Sequence, residues 1–320
     1  MVAGAAGILA IVAFSASCLD PNFRRIAAEP DNIAIVIMLA LLGFFLWLGL
    51  RRAAVNDGLL EAGSSLVEGT SQDRQLVWPH LVFPELIVLI LCIALLLIWA
   101  IQIPAPLGEP ADPDTAPNPA KAPWYFLGLQ ELLVYFDPWL AGVVVPSLII
   151  FGLIAIPYLD RNPRGNGYYT LRERPFAIAT FLLAFIVLWI TPLIVGTFLR
   201  GPNWDFFGVF ERWDPQRPVV LANVELHDLV WIHWLDRPLP SHALWRELPG
   251  LGLLAGYFLA GPLVLRPLFF RKVYAEIGFA RYSVMSLLLL AMLLLPIKMI
   301  ARWTLNLHHI VTFDEWLLSI

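Results

Sequence analysis

The chain has 320 residues, 59% of them hydrophobic and only 14% charged, with a formal net charge of -4. A soluble domain is about 45–50% apolar and about 25% charged, so this composition excludes an ordinary water-soluble enzyme and indicates a bilayer protein. No basic patch with interleaved aromatics suggests nucleic acid, and two cysteines, Cys18 and Cys92, are too few for a disulfide framework or a cysteine metal cluster.

A spanning helix needs roughly 20 mostly apolar residues to cross about 30 Å of hydrocarbon. In chain order, the first candidate is Val2–Cys18. It competes with a signal peptide or a lipoprotein signal ending at Cys18. A signal peptide carries a basic start, and Met1–Ala6 has none, so the run is read as a retained seventh span. Firm spans follow at Ile33–Leu50, Pro84–Ile103, Leu140–Tyr158, Phe176–Leu199, Leu248–Leu265 and Tyr282–Ile300. Cys92 lies inside the run Pro84–Ile103 and reads as a small buried hydrophobe.

The connections alternate in charge. Basic ones hold Arg51 and Arg52, then Arg161, Arg164, Arg172 and Arg174, then Arg266, Arg271, Lys272 and Arg281. The others, Pro104–Trp139, Arg200–Glu247 and the tail after Ile300, are acidic or rich in proline, although Arg24 and Arg25 depart from the pattern. Cytoplasmic loops collect Lys and Arg, so the basic set is expected inside (the n side) and the other set outside (the p side). The N-terminus is then inside and the C-terminus outside. Within the first long p-side loop, the stretch from Trp124 to Leu133 reads as a short amphipathic helix at the interface, where Trp and Tyr favour the headgroup depth.

That loop also carries a resemblance. Gly108-Glu109-Pro110-Ala111-Asp112-Pro113, followed by Pro119-Ala120-Lys121-Ala122-Pro123-Trp124-Tyr125-Phe126, is similar to the loop between helices E and F of cytochrome b, and most of all to subunit IV of the cytochrome b6f complex. Upstream, Trp78-Pro79 and Phe83-Pro84 resemble the start of helix E. Downstream, Pro146 and Ile156-Pro157-Tyr158-Leu159-Asp160 resemble helix F, and Arg174-Pro175-Phe176 resembles the start of helix G. The resemblance implies an all-α integral membrane protein of about seven transmembrane helices, with a cytochrome b C-terminal-like three-helix unit in the middle. Three parts are expected: 1–77, N-terminal helices and a cytoplasmic linker; 78–199, the cytochrome b C-terminal-like unit; 200–320, an aromatic p-side loop and two further spans.

The resemblance also implies function. The family oxidises quinol near the p side, passing one electron to a Rieske-type iron–sulfur protein and one to heme b, and releasing two protons outside. On this expectation Pro123, Trp124, Tyr125 and Phe126 line the quinol pocket. The implied partners are a heme-bearing cytochrome b N-terminal subunit, a Rieske-type protein, a c-type cytochrome, and membrane lipid and quinone. The implied location is a bacterial-type energy-transducing (cytoplasmic) membrane. The family motif Pro-Glu-Trp-Tyr reads Ala122-Pro123-Trp124-Tyr125 here, so the usual carboxylate is absent from its place. The departing protons still need an acceptor within hydrogen-bond reach. Glu131, two turns along, is the candidate substitute, and Tyr125 a candidate hydrogen-bond donor to quinol. Against this, Glu131 could be a solvated charge or pair with an arginine of a partner, and Tyr125 could belong to an interfacial belt.

The six histidines are His80, His227, His233, His242, His308 and His309. None pairs across the bilayer interior as bis-histidine heme requires, so no heme is expected on this chain; heme b and an iron–sulfur cluster are expected on partner subunits. On the n side, His80 and Phe83 fall in the quinone-reduction region that the resemblance implies, where His80 could help deliver protons; the plainer reading of His80 is a helix-entry residue at the headgroup level. The aromatic stretch Arg200–Phe207, with Trp213, Trp231, Trp234 and Trp245, could dock a cytochrome c or Rieske-like subunit or simply cover the membrane surface. Lys298, near a span end, is expected to snorkel outward. Two other readings stand beside a quinol oxidoreductase subunit: a structural anchor that lost quinol chemistry with its glutamate, and a transporter. The near absence of ionisable groups within the spans speaks against a transporter.

Overall fold

The computed structural model describes residues 2–70, 76–103, 110, 113–114, 116–160, 168–217, 223–313 and 318–320. Most of the expected Gly108–Asp112 motif, and Arg161 and Arg164, lie outside the described residues. The protein is mostly helical, with almost no sheet. Helix α1 (Val2–Ser17) turns through 112° into the short α2 (Pro21–Ala27). The turn follows from its sequence: Asp20 caps α2 by accepting from the Asn22 and Phe23 amides, and Pro21 begins the new helix. With 16 residues, α1 is about 24 Å long, short of a full hydrocarbon crossing. Among the described residues, six helices are long and apolar enough to span, or seven if α1 and α2 count as one bent span.

The six are α3 (Pro30–Glu61), α5 (Val77–Gln102), α7 (Leu140–Leu159), α8 (Pro175–Leu199), α11 (Leu248–Leu268) and α12 (Arg271–Leu305). Shorter helices lie between them: α4 (Val67–Thr70), α6 (Trp124–Leu132), α9 (residues 226–234) and α10 (Ala243–Arg246). Two spans outrun their apolar sequence. α3 continues for three turns beyond Leu50 because its polar end is itself buried: Asn56 donates to the Tyr169 carbonyl, and Asp57 accepts from the Leu171 and Arg172 amides. α12 begins before its apolar run with a polar stretch, Arg271–Ile277, set off by a kink at Gly278, whose φ of 78° only glycine adopts freely.

These contacts sort the molecule into two ends. One set gathers the end of α3, α4 and residues 168–174, with Arg172 paired to Glu61. The other gathers α2, residues 116–139, 200–217 and 223–246, and residues 306–313 and 318–320. There Asn22 donates to the Phe210 carbonyl and the Phe23 and Phe210 rings stack. Beyond α12 the chain folds back over the helix ends. Leu307, Ile310, Val311 and Phe313 form a buried cluster against Leu251 and Leu254 of α11 and Ala301 of α12. The approach needs glycine at position 250, since a Cβ there would lie 1.9 Å from the Ile310 carbonyl oxygen. Strand β1 (Val224–Glu225) pairs in parallel with β2 (Leu307–His309), and β3 (Thr312–Phe313) pairs antiparallel with β4 (Leu318–Ser319).

The spans differ in how far they pack within the chain. None of the most apolar stretch of α5 is buried, whereas a third of that of α12 is. In lipid an apolar helix loses nothing by standing apart, so α5 offers its whole surface to lipid or to another subunit. Lys298 departs from expectation. It does not reach outward; it is fully buried on α12, and its ammonium nitrogen has no hydrogen-bond partner among the described residues.

Candidate functional site

The site is built around α6. The residue before a helix takes an extended backbone, and proline suits that position; Pro123 there has φ −51° and ψ 147°. Gln130 then fastens the incoming strand to the helix. Its side-chain oxygen accepts from the Ala122 amide at 2.7 Å, and its nitrogen donates to the Ala120 carbonyl at 2.8 Å. Asn118 exchanges hydrogen bonds with Asn203, at 2.9 and 2.6 Å. Lys121 donates to the Thr197 carbonyl at the end of α8 at 2.7 Å and lies 4.9 Å over the Trp213 ring. Burial lowers the Lys121 pKa to about 8 even though Glu29 opposes the shift.

One face of α6 faces inward. Leu127, Gly128, Glu131 and Leu132 are buried, and α6 lies close against α8. Glycine at position 196 allows the approach, since a Cβ there would be 3.1 Å from the Leu127 side chain, while a Cβ on Gly128 would meet the Trp189 carbonyl oxygen at an ordinary 3.4 Å. Glu131 is fully buried at the centre of this contact. Arg200 grips its carboxylate in a fork, Nε to Oε2 at 3.0 Å and Nη2 to Oε1 at 2.8 Å. Tyr135 donates to Oε1 at 2.9 Å, and the Trp204 indole donates to Oε2 at 3.2 Å. Trp303 of α12 in turn donates to the Tyr135 hydroxyl at 3.1 Å. Burial works against the Arg200 charge, but the Glu131 hydrogen bonds and charge outweigh it and raise its pKa. Burial, and then the Glu131 charge, push the Tyr135 hydroxyl well above its usual range, so it stays a donor.

The other face looks away from the chain. Tyr125 is 48% exposed and Phe126 52%, with Trp124 beside them. The rings form a connected row, with centroids 5.5 Å apart for Trp124 and Tyr125 and 4.7 Å for Tyr125 and Phe126.

The structure therefore brings Pro123, Trp124, Tyr125 and Phe126 together and turns Glu131 away from Tyr125 and Phe126. At about 100° per residue, the six residues from Tyr125 to Glu131 leave them about 120° apart around the helix, on different faces. Glu131 is neither a solvated charge nor the partner of another subunit's arginine. Its partners are in its own chain, 69 residues away in the case of Arg200. The arginine was visible in the sequence, but its pairing depends on how α8 ends. The aromatic stretch after α8 likewise turns inward in part: Trp204 holds Glu131 and Trp213 holds Lys121, while Trp234 and Trp245 stay exposed. At the opposite end, His80 and Phe83 are exposed, with the Phe83 ring 5.5 Å from that of Trp78.

A bundle of apolar spans with a clamped aromatic helix at one end defines a multi-pass membrane protein. Residues 110–198 match the family model described as cytochrome b(C-terminal)/b6/petD, and over that stretch the chain is similar to this family of membrane proteins. The match covers less than half of the chain: it takes in α6, α7 and almost all of α8, and leaves α5, α11 and α12 outside. The family belongs to cytochrome bc/b6f-type quinol oxidoreductase complexes, which contain heme b and cytochrome b partners. No solved structure matches the chain.

Proposed function

We propose that the chain supplies one wall of a p-side quinol-oxidation pocket, with Trp124, Tyr125 and Phe126 facing a heme-bearing cytochrome b subunit. The observation that carries this reading is the division of α6. One face is fixed to its own chain by buried charge and a glycine contact, and the exposed side presents the Tyr125 and Phe126 rings, with Trp124 next to them, to something else. Aromatic side chains shape a dry slot for a flat ring, and the Tyr125 hydroxyl is placed to hydrogen-bond a quinol oxygen. The unburied surface of α5 fits a second subunit packed beside it.

Glu131 serves as a positioning residue in this reading. It holds α6 at the angle that presents the rings, and the proton acceptor comes from the partner side of the pocket. Residues 78–199 act as the cytochrome b C-terminal-like unit, with 1–77 bracing it through Asn56 and Asp57 of α3 and 200–320 through Arg200. His80 and Phe83 take the n-side quinone region. The basic connections lie inside, the N-terminus inside and the C-terminus outside, in a bacterial-type cytoplasmic membrane. Heme b, a Rieske-type iron–sulfur cluster and a c-type cytochrome belong to partner chains.

A structural anchor is the second reading, favoured by one observation: Pro123 replaces the motif carboxylate and Glu131 is committed to Arg200. Crosslinking with a photoreactive quinone in the purified complex separates the two. The pocket reading expects label within residues 123–126, lost when an inhibitor competes at the oxidation site. An anchor would take no specific label there.

A further inference from the structure

We propose that Glu225, His308 and His309 form a site for a divalent transition metal of the zinc class, tying the loop before α9 to the chain that follows α12. The backbone builds the cluster. Asn306 ends α12 in the left-handed conformation, with φ 52°, and turns the chain into β2. Consecutive strand residues normally point to opposite faces. Here the β1–β2 pairing carries a bulge: Val224 pairs with Leu307 and Glu225 with His309, so His308 is the extra residue on its strand. A bulge re-aims side chains, and this one lets both imidazoles meet one carboxylate.

His308 Nδ1 lies 3.0 Å from Glu225 Oε1, and His309 Nδ1 lies 3.1 Å from Oε2. The three donor atoms all fall within 4.8 Å of one another. Around a tetrahedral zinc with bonds of about 2.0–2.1 Å, neighbouring ligand atoms are about 3.4 Å apart, so a small adjustment seats the ion. Two imidazoles and one carboxylate match the donor set of zinc sites that keep a fourth position open. Imidazole nitrogen favours zinc-class ions over magnesium or calcium. The side chains are partly exposed, 22% for Glu225, 31% for His308 and 16% for His309, so an ion can enter from solvent.

An outer layer holds the ligands in place, as metal sites require. Thr312 reaches Glu225 Oε2 through its hydroxyl at 3.5 Å and donates its amide to the fully buried Glu247 at 3.0 Å. Glu247 also lies 3.0 Å from His227 Nδ1. Arg302, which donates to Asn223 and to the Asn306 carbonyl, adds positive charge beside the site, so the affinity rests on the donor atoms rather than on excess negative charge. The three residues are invisible as a set in the sequence because more than eighty positions separate Glu225 from the histidines.

The test uses the full chain in detergent, stripped with a chelator and titrated calorimetrically with Zn²⁺, with Co²⁺ as a spectroscopic stand-in. The expected results are one Zn²⁺ per chain and the intense visible bands of four-coordinate Co²⁺. Glu225→Gln and His308→Gln should each weaken binding by more than the roughly 10–100-fold that loss of an outer-layer partner costs. His308→Gln alters a partly exposed side chain and keeps the assay informative should Glu225→Gln misfold. Absence of stoichiometric binding, weak six-coordinate Co²⁺ bands, or unchanged affinity in His308→Gln would each overturn the proposal and leave a hydrogen-bonded Glu–His–His cluster.

Discussion

Replacing Glu131 with glutamine removes the charge that Arg200, Tyr135 and Trp204 converge on. Glutamine nearly keeps the volume, but it turns one acceptor oxygen into a donor facing the guanidinium, and Arg200 is left buried without a counter-charge. Breaking a buried pair on one side costs roughly 3–5 kcal/mol. At about 1.4 kcal/mol per factor of ten, that is roughly two to nearly four orders of magnitude in the balance between docked and loosened α6. Exchanging both members for methionine removes the uncompensated charge and is expected to recover most of the loss, because apolar replacements of a buried pair are often neutral. The measurements are thermal unfolding of the purified complex and limited proteolysis of the 118–139 segment. Glu131→Gln should melt earlier and be cut faster, and Glu131→Met/Arg200→Met should return toward the parent. If Glu131→Gln keeps the parent's melting and protection, the clamp is refuted. Should such an intact variant also oxidise quinol slowly, Glu131 is itself the proton acceptor.

Other consequences are open to test. Gly128→Ala should assemble normally, since the added carbon makes only ordinary contact 3.4 Å from the Trp189 carbonyl, whereas Gly128→Leu should push α6 off α8 and lower complex yield. Lys121 has its pKa lowered to about 8. Between that value and the unfolded value of about 10.4 the folded chain binds fewer protons than the unfolded one, so this group adds stability as pH rises through the window. Relative to Lys121→Met, the parent should therefore gain thermal stability from pH 8 to pH 10, and a flat difference would show that the ammonium is not desolvated. A cysteine placed at Gly165 should be labelled only from the inner side and one at Lys121 only from the outer side; the reverse pattern would invert the topology.

Much of this fold is legible from composition alone, because a bilayer demands long apolar helices and little else satisfies their backbones. The run read at Leu140–Tyr158 falls inside α7, and the one at Pro84–Ile103 passes the end of α5 by one residue. The misread edges have specific causes. α3 runs on through Arg51–Glu61 because Asn56 and Asp57 find partners in residues 169–172, which no local pattern shows. The 112° turn at Asp20-Pro21 leaves the first run too short to resemble the other spans. In the site, the helix Trp124–Leu132 and its aromatic row were legible, since both are local. The locks on it were not: Gln130 to Ala120, Lys121 to Thr197, and Glu131 to Arg200 depend on which loops meet at one end of the bundle. Lys298 was misplaced for the same reason, as nearness to a span end does not reveal which packed neighbours cover it.

The central claim is that the exposed face of α6 touches quinol. It is tested most directly by pre-steady-state reduction of heme b in the purified complex, with the natural quinol added to the parent and to Tyr125→Ala. Tyr125 is half-exposed and outside the Glu131 network, so the variant should melt like the parent. The account predicts that heme b reduction slows by at least tenfold in this variant while reduction by dithionite is unchanged. An unchanged quinol-driven rate in the stable variant would contradict it and leave the chain as an anchor.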